Sequence, residues 1–551
     1  MVRSHRGIAL LLTTLAACSS LACAVQNNAE NPDRLYTLEG TVVNAETGRP
    51  IPHALVRLLA QSRLAVLTGP QGEFSFDKLA MGTAAMVSVE KPGFFAPGAE
   101  RYSFPQRSVK IGPGTGKLIL KLEPECVIAG EVMGDGGEPL EGAAVEVLEE
   151  RVISGRRELM QTRNGVRTDE DGLFRIAGLR SGRYFVSVAA GDAGRRVLGA
   201  RSSNVIQAYP LVSYFPGVTD IASATPIDLV AGQRMHAPFS LAQATAFKLA
   251  GTITGMADFK EVSAPMIVDA IGHPIANVTR WDEQTGAFEF PPIPSGVYTL
   301  LVTAMMDDKH PSWRRQSVTL SQNVSGFNFA LHPGVTIPVS VQTYFSDRQG
   351  QCSGSFQINQ TTYECAKFPA MVSLVSMEAQ HEAFQAEAEN ADPSAYALRA
   401  VTPGRYHIYI NPMGPGYVRS ARCGSTDLLR EELIVPAGGD VQPIEIVLGD
   451  KDAKVKVHVQ ADGIPEQARI LLVPEFAPYQ RPTTLDIWMN GDREYGGLAP
   501  GDYKVLAFES IEGIEYENPE ALEKYSAKTA RITLSPQGTT SVTVQLIREG
   551  E

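Results

Sequence analysis

The chain has 551 residues, of which 20% are charged and 44% are apolar, and this balance excludes wholesale disorder and a membrane-embedded body. Its formal net charge of −12 excludes broad electrostatic binding to nucleic acid, because phosphate binding requires a basic surface. The 50 glycines and 36 prolines, scattered among short apolar runs, favour many short strands joined by tight turns over long helices.

Residues 1–24 have the order of a secretory signal, because Arg3 and Arg6 precede an apolar stretch of about ten residues. That stretch is too short to span a bilayer. Two processing sites remain open: cleavage before Cys18 gives a lipoprotein with a lipid on Cys18, whereas cleavage after Ala24 gives a free protein. Residues 25–34 form a polar tether. Both alternatives predict export to the periplasm, the outer-membrane surface or the extracellular space, with membrane contact only through the N-terminal lipid.

An internal repeat organises the rest of the chain. Three segments share one spacing, namely QGEFSFDKLAMGTAAMVSV (71–89), DGLFRIAGLRSGRYFVSV (171–188) and TGAFEFPPIPSGVYTLLV (285–302). Each has a glycine, a phenylalanine two positions later, then a leucine or isoleucine and a second glycine. Two weaker copies keep this register, so the second glycine recurs at positions 82, 182, 296, 404 and 501. The spacing of roughly 100 residues is a typical domain length.

The alternating apolar residues on both sides of the connector LxxG predict two adjacent strands of an antiparallel sheet. The first glycine predicts a tight turn with positive φ. Segments upstream, such as LEGTVVNAETGRPIPHALVRLL (38–59), supply further strands. About seven strands in ~90 to 110 residues predict a small sandwich, so we expect an all-β fold made of a tandem array of about five Greek-key β-sandwich modules. Modules 1 to 5 are predicted at 35–123, 124–245, 246–332, 333–450 and 451–548.

This pattern resembles the carboxypeptidase regulatory-like, or prealbumin-like, sandwich, which is grouped with starch-binding-like folds and occurs in tandem in exported proteins of acidobacterial type. Segments such as SYFPGVTDIASATPIDLVAGQ (213–233) and GYVRSARCGSTDLL (416–429) are similar to connecting elements of those proteins. The resemblance implies the fold, but it does not imply one function, because such modules serve in many contexts.

Module 4 diverges most from the repeat. Its segment SMEAQHEAFQAEAENAD (376–392) has helical propensity, but the module register predicts a strand there. Cys352 and Cys365 flank an insert that is predicted to be closed by one disulfide, whereas Cys126 and Cys423 are expected to be unpaired, partly buried thiols. A short helix is predicted at about Asn518–Tyr525, with Asn518 as its N-cap.

No motif predicts catalysis. None of the nine histidines has the spacing of a zinc peptidase, and GPGTGKL (112–118) lacks the spacing of a phosphate loop. TDEDGLF (168–174) is interpreted as a turn, with calcium binding as the alternative. We therefore predict no catalytic residue, no metal, no cofactor and no enzyme activity. A hydrolase with dispersed acidic residues remains open, because a pair among 61 Asp and Glu cannot be recognised without coordinates.

The sequence thus predicts a non-catalytic, exported binding or structural protein of the cell envelope, with an unidentified envelope protein or glycan as partner. The alternative is a carbohydrate-binding protein that stacks sugars on exposed aromatic rings. Trp313 is the best candidate for such a ring, and Tyr214 is a second.

Overall fold

The computed structural model describes residues 35–59, 63–80, 84–96, 107–112, 115–162, 164–190, 206–269, 271–307, 309–344, 355–358, 361–364, 370–377, 383–389, 392–413, 416–461, 467–488 and 493–548. Strands dominate them, and the all-β class and the tandem sandwich architecture are confirmed. Contacts divide the chain into two compact units, unit 1 (Met1–Pro124) and unit 2 (Glu125–Glu551). The module boundaries stay predictions.

Unit 1 holds two four-stranded sheets. In spatial order, the first consists of Glu73–Ala80, Leu35–Asn44, Leu118–Pro124 and Phe94–Phe95. The second consists of Arg63–Leu67, Leu55–Leu59, Ala84–Glu90 and Arg107–Lys110. Apolar side chains from both sheets form one buried core, including Leu38, Val56 and Phe74.

In each module, the first strand has two neighbours in its sheet. One neighbour is the last strand of the module, and the other is the strand that follows the first glycine of the repeat. In module 1, Gly40 pairs antiparallel with Phe74 and parallel with Leu118. The same arrangement recurs in the four later modules. Because the last strand runs in the direction of the first, the chain enters a module at one end and leaves it at the other.

The prediction that the two strands of the repeat are neighbours in one sheet is wrong. In module 1, Glu73–Ala80 pairs with Leu35–Asn44, whereas Ala84–Glu90 pairs with Leu55–Leu59 in the other sheet. Module 2 divides in the same way. Alternation shows which residues of a strand point inward, but it does not show which sheet the strand joins. The LxxG connector therefore crosses from one layer of the sandwich to the other.

Two glycine positions of the repeat have a physical cause. The turn glycine has positive φ in three modules, as predicted, at Gly72 (72°), Gly172 (73°) and Gly286 (70°). The glycine in the first strand faces the phenylalanine of the repeat, and a Cβ there would strike the ring or the neighbouring backbone. These facing pairs are Gly40 with Phe74, Gly130 with Phe174 and Gly251 with Phe288.

In modules 2 to 5, a tyrosine two residues after the second glycine of the repeat stabilises the connector that crosses between the two sheets. Tyr184 Oη donates to the carbonyl oxygen of Arg180, four residues earlier, at 3.0 Å. The same bond recurs at 2.8 Å in the next three modules, from Tyr298, Tyr406 and Tyr503. Burial raises the pKa of Tyr298 to about 12, so this phenol keeps its proton and remains a donor. Module 1 has Ala84 at this position.

Module 2 continues the pattern with a longer hairpin. Its strands are Cys126–Gly134, Ala144–Ile153, Arg156–Gln161, Val166–Arg167, Leu173–Leu179, Gly182–Ala189, Ile206–Ala208, Ser213–Tyr214, Ile227–Leu229, Arg234–His236 and Phe239–Leu241, with a 3-10 turn at Ile221–Ser223.

Module 3 surrounds its own core, which includes Leu249, Phe288 and Leu300. Its strands are Ala244–Phe247, Leu249–Thr254, Glu261–Val262, Met266–Val268, Pro274–Asn277, Arg280–Trp281, Ala287–Glu289, Ile293–Pro294, Gly296–Met305, Pro311–Leu320 and Val324–Ala330, with a 3-10 turn at Met256–Asp258.

Module 4 forms a continuous nine-stranded sheet around its core. The strand predicted within residues 376–392 is confirmed at Ala383–Glu389, where pairing on both sides overrides helical propensity. The other strands of this sheet are Val335–Tyr344, Ala370–Ser376, Asp392–Val401, Gly404–Pro412, Tyr417–Cys423, Thr426–Asp427, Leu433–Val435 and Ile444–Gly449. Ser355–Ile358 and Thr361–Glu364 pair with each other in a separate two-stranded sheet.

Module 5 contains the predicted helix, which spans Pro519–Glu523 and begins after Asn518, whose side chain accepts from the Glu520 N–H at 3.1 Å. This prediction is confirmed. The strands are Ala453–Gln460, Gln467–Pro474, Thr483–Trp488, Arg493–Leu498, Gly501–Phe508, Ala530–Leu534 and Thr539–Ile547, with a 3-10 turn at Ser526–Lys528.

Candidate functional site at the junction of modules 2, 4 and 5

The long hairpin of module 2, Ala144–Ile153 and Arg156–Gln161, reaches modules 4 and 5 within unit 2. Its two strands pair as far as Ile153 and Arg156, so Ser154 and Gly155 alone form the turn. Both have positive φ, 50° and 82°, as a two-residue hairpin turn requires. The tip is therefore a rigid support for the side chains that follow it.

The hairpin tip contacts the segment 515–518 of module 5 through backbone and side chains. The Glu517 N–H donates to the Gly155 carbonyl oxygen at 3.1 Å. The Tyr516 ring lies so close to Gly155 that a Cβ there would approach a ring carbon to 2.5 Å. Arg157 pairs with Glu515, which lowers the pKa of that carboxyl below its usual value. We call this set of contacts the interlock.

The interlock also includes two guanidinium groups, those of Arg156 and Arg481, that share the carboxylate of Glu517. Arg156 hydrogen-bonds to Glu517 and to the Tyr409 hydroxyl of module 4. Arg481 of module 5 lies 3.0 Å from the other Glu517 oxygen, and its guanidinium stands 4.4 Å from the Tyr409 ring centroid. Burial raises the pKa of Tyr409, so the phenol stays neutral. Two positive charges thus face one negative charge.

The segment 475–481 of module 5 packs against module 4. Phe476 packs edge-on against Tyr503 at 5.5 Å, and its carbonyl oxygen accepts from Arg430 Nε at 3.1 Å. Tyr479 stacks on His407 at 4.4 Å, and burial, helped by the charge of Arg156, lowers the pKa of this histidine. Module 5 thereby covers the outer face of the strand Gly404–Pro412.

A cleft of about 610 Å³, the 4/5 cleft, remains between these two modules. Its wall includes aromatic rings, primary amides and a guanidinium, contributed by Tyr409, Tyr417, Phe476, Asn411, Gln480 and Arg481. Among the described residues that line it, none is Asp, Glu or Lys. The cleft can therefore bind a ligand that combines apolar surface, hydrogen-bonding groups and negative charge.

A second cleft, of about 440 Å³, is lined by parts of modules 2 and 3, including Tyr214, Asp220 and Asp269. Tyr214 is only 4% exposed and thus offers little ring area to a ligand. Trp313 lies on the strand Pro311–Leu320, is 43% exposed and lines neither cleft. Ligand stacking on these two rings stays a prediction, and the structure does not bring them together.

Cys18 and the predicted disulfide partners Cys352 and Cys365 lie outside the described residues. Cys126 is buried, and its thiol donates to the Val230 carbonyl oxygen at 3.1 Å. Cys423 is half-buried, and its thiol donates to a backbone carbonyl oxygen at 3.2 Å.

The TDEDGLF motif forms the predicted turn, in which Asp169 accepts from the N–H groups of Asp171 and Leu173 at 3.1 and 2.8 Å. Across the described part of the chain, no three His, Cys, Asp or Glu side chains are placed to hold a metal ion. No described helix is both long and apolar enough to cross a membrane.

Residues 37–101 match the carboxypeptidase regulatory-like domain. The described strands of this regulatory-like domain are the first six of unit 1, up to Phe94–Phe95. No curated protein matches the sequence of the chain significantly.

Solved structures similar to the chain include three bacterial proteins. The TIE protein of Bacillus anthracis is 14% identical, with 54% of this chain and 50% of that protein covered and a TM-score of 0.18. The minor pilin GBS52 of Streptococcus agalactiae is 15% identical, with 38% and 96% covered and a TM-score of 0.20. The shaft pilin SpaA of Lactobacillus rhamnosus GG is 9% identical, with 38% and 98% covered and a TM-score of 0.19. The chain thus spans half the length of the TIE protein.

Proposed function

We propose that the chain is a non-catalytic, exported binding or structural protein of the cell envelope, in which modules 2 to 5 act as one stiff block. The interlock is the observation that supports this role. A string of sandwiches joined only by linkers bends at each boundary, whereas a contact between the second module and the fifth removes that freedom.

The interlock is suited to hold modules because its charges are partly withdrawn from water. The Glu517 side chain is only 8% exposed and contacts both Arg156 and Arg481. Removing one arginine leaves a poorly hydrated carboxylate, which costs more than the loss of an exposed ion pair. The regulatory-like domain in unit 1 has its own core.

Calorimetry of the full chain with Arg156→Ala and Arg157→Ala tests the stiff block. We expect one cooperative transition for unit 2 in the unchanged protein, and a broader or split transition at lower temperature in the double variant. The matched control carries Arg405→Ala and Lys454→Ala, which remove pairs inside modules 4 and 5. Equal broadening in both variants would contradict the proposal.

Envelope location is tested by fractionation of the native cells followed by the intact mass of the recovered protein. We expect the chain in the envelope or the medium, with a mass that corresponds either to a lipid on Cys18 or to cleavage near Val25. An uncleaved chain in the cytoplasm would contradict this part of the proposal.

Carbohydrate binding is a second candidate function. The observation that favours it is the 4/5 cleft, where rings and amides line one concave surface, rather than the isolated Trp313.

A further inference from the structure

We propose that the 4/5 cleft binds an acidic oligosaccharide, with a carboxylate of the sugar on Arg481. This inference rests on the binding role proposed above and specifies the ligand class. It differs from stacking on exposed rings, because the specificity would come from charge at the junction of two modules.

The charge balance at the cleft favours an anion. Arg156 and Arg481 share Glu517, so this trio carries one surplus positive charge. Arg481 lines the cleft and its side chain is 52% exposed, so donor groups not used by Glu517 can reach a ligand. A guanidinium fits a carboxylate through two parallel hydrogen bonds. The described lining of the 4/5 cleft contains no carboxylate, although the chain as a whole has a net charge of −12.

The rest of the lining fits a sugar better than a purely apolar ligand. Tyr417 and Phe476 offer ring surface for the C–H faces of a pyranose. Asn411 is exposed at the end of its strand, and the Ser373 hydroxyl lies on the neighbouring strand, so both can serve sugar hydroxyls. Gln480 is held in place, because its amide donates to the Ile408 carbonyl oxygen at 3.0 Å.

The second cleft provides a contrast within the same unit. It also contains tyrosines, but its charged lining residues are Asp220 and Asp269, and its described lining has no Arg or Lys. An acidic sugar would be repelled there. The two clefts therefore predict opposite responses to ligand charge, which separates specific binding from general affinity for sugars.

Calorimetric titration of the full chain with hexagalacturonate, and with neutral cellohexaose as reference, tests the inference. We expect hexagalacturonate to bind and cellohexaose to bind at least about 10-fold more weakly, with the difference shrinking at high salt. Arg481→Gln should weaken hexagalacturonate binding about 10- to 100-fold. Asn411→Ala should weaken it about 3- to 10-fold. Arg469→Gln removes an exposed arginine elsewhere in module 5 and should leave binding unchanged.

Arg481→Gln also alters the contact with Glu517, so its melting temperature is measured beside each titration. If that variant does not fold, Arg481→Lys and Asn411→Ala carry the test, because lysine keeps the charge and Asn411 is exposed. Equal affinity for both hexasaccharides, equal loss in Arg469→Gln, or binding only to an acidic peptide would overturn the inference. A chain that stays in the envelope but binds neither sugar would refute the ligand class and leave the proposed location intact.

Discussion

The hairpins of modules 1 and 2 occupy the same place in the repeat but differ in reach. In module 1 both strands, Leu55–Leu59 and Arg63–Leu67, have 5 residues. In module 2 the strands have 10 and 6 residues, which extends the hairpin by roughly 17 Å at the rise of a β-strand. The longer hairpin carries Arg156 and Arg157 to module 5.

The repeat thus accounts for each sandwich, whereas the contact between modules 2 and 5 comes from an extension outside the repeat. The phenylalanine and glycine pairs that fill the core are the same in both modules. The hairpin extension of module 2 adds no residue to the module 2 core, and its arginines contact module 5. The two effects can be measured separately by matched substitutions.

The largest effect is expected from Phe74→Ala and Phe174→Ala, which remove the same core ring from modules 1 and 2. Each ring is at most 5% exposed, so each substitution should lower the free energy of unfolding by about 3–5 kcal/mol. All three tryptophans, Trp281, Trp313 and Trp488, belong to unit 2. Tryptophan fluorescence should therefore report a lower denaturation midpoint for Phe174→Ala and an unchanged midpoint for Phe74→Ala. A shift in both would show that unit 1 does not unfold independently.

A smaller effect is expected from Gly155→Ala at the tip of the long hairpin. Alanine there meets unfavourable positive φ and displaces the Tyr516 ring, so we expect a loss of about 2 kcal/mol in unfolding free energy. Gly48→Ala is the matched control, because Gly48 also has positive φ, 67°, but no atom lies within 4 Å of the added Cβ. Gly48→Ala should lower the free energy of unfolding by about 1 kcal/mol, and only for unit 1. Equal losses in chemical denaturation would contradict a role for Tyr516.

Local signals in the sequence predicted the parts of the fold that depend on near neighbours. Positive φ at Gly172 and the N-cap at Asn518 follow from residue type and spacing within one element. The strand Ala383–Glu389 is predicted from the register of the repeat, against the helical propensity of its own residues. The partner sheet of a strand does not follow, because alternation is identical in either layer. The hydroxyl bonds of Tyr184 and Tyr298 do not follow either, because the spacing of residues does not show which carbonyl oxygen a phenol reaches.

The interlock could not be predicted from local pattern, because Arg156 and Glu517 are 361 positions apart. One signal was present in the sequence. Module 2 departs from module 1 by the added stretch ERVISGRRELMQ, with adjacent arginines, and the acidic segment around Glu515 and Glu517 is outside the repeat. Opposite charges in two such additions indicate a contact, although only coordinates show which residues meet.

We expect Tyr298→Phe to lower the free energy of unfolding by about 1 kcal/mol. It removes the hydrogen bond from the Tyr298 hydroxyl to the Pro294 carbonyl oxygen, which module 1 lacks. The substitution should also change the alkaline response of unit 2. The pKa of Tyr298 is raised from 10.0 to about 12, so its stabilisation is complete below about pH 10 and is lost as the pH rises towards 12. Urea denaturation followed by tryptophan fluorescence at several pH values should show that Tyr298→Phe loses less stability in this window than the unchanged protein. A constant difference across it would mean that the hydroxyl titrates normally.

The smallest expected effect is the difference in coupling energy between an ion pair of the interlock and an ion pair inside module 1. Arg157 pairs with Glu515 and Arg57 pairs with Glu90, and both arginine side chains are 49% exposed. The carboxylates differ, since Glu515 is 18% exposed and Glu90 is 39% exposed. Double-mutant cycles should give a coupling of about 0.5–1 kcal/mol for the interlock pair and less for the other.

Acid separates the two pairs further. Because Arg157 lowers the folded pKa of Glu515 below 4.5, the coupling is complete above about pH 4.5 and disappears as the pH falls through the lowered value. High salt should reduce the coupling of the exposed Arg57 pair more than that of the interlock, because screening is weaker where water is partly excluded. Equal couplings with equal salt dependence would mean that the hairpin extension is held by its backbone and ring contacts, with the charges serving only to direct it to module 5.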